Sequence, residues 1–83
     1  MKDIDSIRQN DEIKVVVWGP EGNCLYQSTS SGYHTLEMAV NETLANSNIG
    51  INPEDCVFEI SNLSTGVTHR YRLNAHGHLK LII

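Results

Sequence analysis

Apolar positions along this chain alternate in short runs, with one interruption at helical spacing. From Glu12 to Trp18 the β-branched run Ile13, Val15, Val16, Val17 predicts a strand. Gly19-Pro20-Glu21-Gly22 is a turn, with Pro at its first central position and Gly22 suited to a left-handed bulge. A second strand follows over Cys24–Ser28, and Ser30, Ser31 and Gly32 break it. Thr35 is placed to cap a helix with Glu37 in its first turn. Leu36, Val40, Thr43 and Leu44, with Ala39 beside them, form its apolar stripe to about Asn46. Three more strands, Cys56–Ser61, Val67–Leu73 and His78–Ile83, are joined by hairpin loops at Leu63–Gly66 and Ala75–Gly77.

The predicted fold class is therefore α+β: a single antiparallel five-stranded sheet with one helix packed on one face, in the order β-β-α-β-β-β. A chain of 83 residues makes one domain, residues 1–83. Residues 1–11 read as either one helical turn, from the Ile4 and Ile7 spacing, or a frayed terminus.

Turn chemistry fixes a register for each hairpin. Type I turns with a Gly bulge set Val17 opposite Leu25 and Trp18 opposite Cys24 in the first hairpin. They set Leu73 opposite Leu79, Tyr71 opposite Leu81 and Arg72 opposite Lys80 in the last. A four-residue loop in the middle hairpin sets Phe58 opposite Tyr71, Ile60 opposite His69 and Glu59 opposite Arg70. Side chains alternate between faces along a strand. The core face then carries Ile13, Val15, Val17, Leu25, Phe58, Ile60, Val67, Tyr71, Leu73, Leu79, Leu81 and Ile83, and the helix stripe packs there. If Leu81 is in that core, its truncation to Ala costs about 2–5 kcal/mol. The first and fifth strands are the most apolar, which favours the spatial order 2-1-5-4-3. The order 2-1-3-4-5 would put the apolar last strand on an edge open to pairing. Five strands span about 20 Å or more, whereas a helix is about 10 Å wide. The rest of the core face needs residues 1–11, the loop at Ile49 and Ile51, or a second copy of the chain, so a homodimer is expected.

Composition narrows the function classes. The apolar fraction is 40% and the charged fraction 19%, as in a folded globular chain. The longest apolar runs, at Val15–Trp18 and Leu81–Ile83, fall far short of the ~20 residues that cross a bilayer. No membrane association is expected, and acids near the N-terminus do not suit a secretory leader, so a cytoplasmic location is expected. The net charge of −4 is unevenly spread: residues 60–83 hold no acid but contain Arg70, Arg72, Lys80 and three of the four histidines.

Motifs for catalysis are missing: there is no phosphate loop, His-Glu-x-x-His or Cys-x-x-Cys. Cys24 or Cys56 with His69 is the nearest approach to a nucleophile with a base, and a packed Cys beside a core His is the commoner arrangement. His76 and His78 flank Gly77 without the paired ligands a zinc site needs. No catalytic residue, metal or cofactor is expected. The face away from the helix is the candidate binding surface: Trp18, Tyr26, Arg70, Arg72 and Lys80, with Val16, Val57 and Ile82 among them. Aromatics and Arg anchor protein interfaces. The chain thus reads as a small non-enzymatic protein that binds a protein partner, as a regulator, inhibitor or assembly subunit of the phage or plasmid accessory type. The alternative is a single-stranded nucleic-acid binder on the same face, an alternative weakened by Glu59 standing opposite Arg70.

Overall fold

The computed structural model describes residues 7–82. Ile4 and Ile83, to which the sequence assigned a helical turn and a core place, lie outside them. Strands β1 (Ile13–Trp18) and β2 (Cys24–Ser30) are followed by α1 (Leu36–Asn46) and a 3-10 turn (Pro53–Asp55). Strands β3 (Val57–Asn62), β4 (Val67–Leu73) and β5 (Leu79–Leu81) complete one antiparallel sheet. Its order is β2-β1-β3-β4-β5. Because β2 and β3 both run antiparallel to β1, they are parallel to each other, and α1 is their crossover.

That order corrects the expectation that β5 lies in the centre. All six residues of β1 find partners on β3, from Ile13 opposite Asn62 to Trp18 opposite Val57. Strand β5 is three residues long and would leave half of β1's inward-facing backbone groups unpaired. Backbone pairing length outweighs apolar content here, and the apolar last strand takes the edge. Leu81 is accordingly 41% exposed and Val67 45%. Both fall outside the core that the sequence assigned them to, while Leu73 and Leu79 are half-buried.

The middle and last hairpins have the registers read from their loops. In the first hairpin the turn is as expected, with Gly22 at φ 84° and its amide donating to Gly19 O at 3.0 Å. Trp18 also faces Cys24, but Val17 faces Tyr26, because the register shifts between Val17 and Trp18. Leu25 is thus the extra residue of a bulge. Without that bulge the pairing would turn Gln27 toward the core. With it, Tyr26 and Ser28 take the core side. Leu25 and Tyr26 both pack against the buried cluster, and Ser28 Oγ lies 3.2 Å from Thr43 Oγ1 on α1.

Helix α1 starts where its cap predicts: Thr35 Oγ1 accepts from the Met38 amide at 3.2 Å. Its buried residues Leu36, Ala39, Val40 and Thr43 form one stripe. The helix lies across the sheet. In its first turn Glu37 Oε2 accepts from the Leu79 amide of β5 at 3.2 Å, and in its second Thr43 meets β2. A diagonal helix reaches more of the face than one laid along a strand. The core it covers is Ile13, Val15, Val17, Phe58, Ile60 and Tyr71, with Tyr33 and Cys56 closing the ends.

Of the N-terminal segment, the described residues form a turn rather than a helix, with Asp11 N donating to Arg8 O at 2.9 Å. Ile7 and Ile49 pack against the core. Asn62 ties this segment down. Its Nδ2 donates to Asp11 Oδ2 at 2.9 Å, and its Oδ1 accepts from the Ser64 and Thr65 amides at 3.0 and 3.2 Å.

Candidate functional site

The sheet face opposite α1 is built by strict alternation. Val15, Val17, Phe58, Ile60 and Tyr71 point inward, so Lys14, Val16, Trp18, Val57, Glu59, Arg70, Arg72 and Lys80 point the other way. Two cross-strand rows result. One runs from Trp18 on β1 through Val57 on β3 toward Arg72 on β4 and Lys80 on β5. The next runs from Gln27 through Val16 and Glu59 to Arg70. Val16 is 9% exposed although no helix covers it. Its neighbours in these rows close over it with their stems.

A groove of about 630 Å³ opens on this face, lined by Trp18, Pro20, Asp55, Val57, Arg70 and Arg72, with Gly19 and Gly22 of the first turn at its rim. The structure thus brings together Trp18, Arg70 and Arg72 of the residues singled out from sequence. Lys80 faces Arg72 across β4 and β5 but does not line the groove. Tyr26 is not on this face. The bulge at Leu25 sets it opposite Val17 and against the core, so its place in the candidate surface is corrected.

The electrostatics differ from the sequence expectation in one respect. Glu59 stands opposite Arg70 as predicted, yet its Oε1 accepts from the Trp18 indole Nε1 at 2.8 Å. Among the described residues, neither Arg70 nor Arg72 has an ion pair or a side-chain hydrogen bond, and the one ion pair present joins His78 and Glu37 at 3.4 Å. The indole therefore does two things. It fixes itself at the groove and occupies one oxygen of the carboxylate that stands opposite Arg70. Asp55, which the sequence reading missed, adds a second carboxylate to the groove wall. Its position two residues before Val57 is the signal that could have found it, since strand parity carried past the strand's start places 55, 57 and 59 on one side.

Other chemistry-bearing groups are engaged elsewhere. Cys56 is buried, its Sγ donates to Asn52 O at 3.8 Å, and burial, with Asp55 nearby, pushes the thiol's pKa up. A thiol held neutral is the opposite of an activated nucleophile. His69 faces Ile60 and stacks edge-on to Tyr71 at 6.4 Å. Among the described residues no group of three or more His, Cys, Asp or Glu is arranged to hold a metal ion, and no helix is long and apolar enough to cross a membrane. A smaller polar cleft of about 210 Å³ lies between β2 and α1. There the Tyr33 hydroxyl donates to Glu42 Oε1, and desolvation together with that carboxylate raises the tyrosine's pKa. Comparison of the chain with family models, with curated proteins and with solved structures gives no match.

Proposed function

We propose that this chain is a small non-enzymatic binding protein whose outer sheet face docks a protein partner, as a regulator, an inhibitor or an assembly subunit. The observation that supports it is the groove holding Trp18, Val57, Arg70 and Arg72, in which both guanidinium groups lack an ion-pair partner among the described residues. A Trp flanked by Arg is the composition of an interface anchor. Two unpaired cysteines, Cys24 exposed and Cys56 buried, suit the reducing cytoplasm we assign it to.

Single-stranded nucleic acid is the second reading, favoured by the cations of this face. It loses ground on two counts. With Tyr26 turned to the core, Trp18 is the one aromatic left on the face, where a stacking platform uses several. Asp55 and Glu59 add negative charge beside the arginines.

The double change Arg70→Glu with Arg72→Glu is the test. Both residues are exposed and alternate with core positions, so the folded circular dichroism spectrum should persist while a partner captured by the native protein is lost. Capture by the double variant with its fold intact would refute the proposal. Tight, steeply salt-dependent binding of mixed oligonucleotides would favour the second reading.

A further inference from the structure

The cations of the outer face stand against the charge of the whole chain. That face carries Lys14, Arg70, Arg72 and Lys80 against Glu59, with Asp55 at the groove, in a protein of net charge −4. Among these six residues the cations outnumber the carboxylates, the reverse of the chain as a whole, which favours an acidic partner on this face.

Arg70 and Arg72 sit two residues apart on one strand, with their side chains on the same face, so their stems rise about 7 Å apart. An extended peptide carries its i and i+2 side chains at the same spacing and also on one side. Carboxylates so placed meet both guanidinium groups at once, and each can bond in the paired geometry that Arg favours. Next to the arginines, toward the first turn, the groove floor is apolar: Val57, Trp18 and Pro20. It spans three strands, about 10 Å from β1 to β4 at half that distance per strand, which suits a peptide segment better than a lone small anion. Asp55 in the wall repels a continuous polyanion but accepts a backbone amide or a hydroxyl of a peptide.

We propose, building on the docking function above, that the occupant is an extended acidic segment of a protein partner. It presents two carboxylates at i and i+2 to Arg70 and Arg72, and a neighbouring apolar side chain to Trp18 and Val57.

Trp18 is the chain's single tryptophan, so its emission reports occupancy of this groove without a label. The probes are synthetic octapeptides containing Leu followed by Glu-x-Glu, the same peptide with Gln-x-Gln, the same with Lys-x-Lys, and an octathymidylate. The acidic peptide should change Trp18 emission saturably, and the Gln form should bind at least about tenfold more weakly, as expected for losing two charge-assisted contacts. In the exposed-site variant Arg70→Gln with Arg72→Gln, the two peptides should bind alike. Equal binding of the Glu and Gln peptides to the native protein overturns the acidic segment while leaving a docking groove in place. No emission change with any peptide at millimolar concentration overturns it too, and the Arg→Glu capture experiment then judges the groove separately. Preference for the oligonucleotide replaces the peptide with nucleic acid. An emission change on concentrating the protein alone makes a second copy the occupant, and the proposal fails.

Discussion

Truncating Val17 should destabilise this domain more than truncating Leu81, although the leucine loses more atoms. Val17 is fully buried on the second strand of the sheet, between Tyr26 on β2 and Phe58 on β3. Val17→Ala removes two methyl groups from that site. The transfer term is about 0.8 kcal/mol for each, and a cavity flanked on both sides by paired strands collapses poorly, so the cost is about 2–3 kcal/mol. Leu81→Ala removes three carbons, which would be worth about 2.4 kcal/mol if they were wholly withdrawn from water. At 41% exposure roughly three-fifths of that applies. Residual burial in the unfolded chain lowers it further, to about 1 kcal/mol. No closed cavity forms at a sheet edge.

Urea unfolding of the two variants beside the native protein measures the difference. A domain of this size holds about 4–12 kcal/mol, so both variants stay folded in buffer and their midpoints compare directly at equal slope. The ranking is the informative result. A Leu81→Ala cost equal to or above that of Val17→Ala would put β5 in the sheet interior, and with it the order 2-1-5-4-3.

Asn62→Ala removes the acceptor for the Ser64 and Thr65 amides and the donor to Asp11. It should cost about 1–3 kcal/mol in urea unfolding, and an effect under about 0.5 kcal/mol would mean water replaces the network at no loss. Thr35→Ala should cost about 1 kcal/mol by removing the cap on Met38 N, and Thr35→Ser should restore most of it; equal losses would deny the cap. The Arg8 amide and the Asn62 side chain hold the Asp11 carboxyl below its usual range. Its stabilisation is therefore present above the unfolded value of about 3.9 and lost as the pH falls through the lower folded value. Asp11→Asn should lower stability near neutrality and flatten the profile in that acid window, so that native and variant proteins converge at low pH. Self-association through the uncovered flank of the core face, where Val67 and Leu81 are exposed, should appear as a dimer in equilibrium sedimentation at micromolar concentration. A strictly monomeric mass would mean that Ile7, Ile49 and the diagonal helix suffice.

The parts of the fold legible in sequence are those set by local chemistry. Thr35, the Leu36–Thr43 stripe and the hairpin loops each act over a few residues, and element order and two of three registers follow from them. Strand order does not. It depends on how many backbone groups a strand can pair over its full length, and the apolar content of Leu79–Ile82 carries no information on that. The three paired residues of β5, against six for β3, decide it. The bulge at Leu25 is an intermediate case. Alternation from the turn puts Leu25, Gln27 and Thr29 on one side, and burying Gln27 under a helix should have flagged the register. Tyr26 and Ser28 one position along, with Thr43 available on the helix, were the better core set.

Parity errors of this kind propagate into the site unevenly, and that explains which site residues survived. Arg70, Arg72, Lys80 and Trp18 are fixed by hairpins whose pairing at those positions follows from the adjacent turn, so their face is insensitive to events further along β2. Tyr26 lies beyond the bulge and changes sides with it. The charge state of the site was harder to read, because a cross-strand pair gives opportunity for an ion pair and says nothing of competition. Glu59 has Arg70 on one flank and β1 on the other, and the Trp18 indole, diagonal to it, takes the carboxylate. A single neutral donor thereby engages the carboxylate that stands opposite Arg70. Trp18→Phe should accordingly free Glu59 to pair with Arg70 and weaken capture of an acidic peptide at the unmutated arginines, read by fluorescence anisotropy of a labelled Glu-x-Glu peptide. Unchanged affinity in Trp18→Phe would show that the indole neither contributes contact nor controls the charge beside it, and would remove the tryptophan from the site.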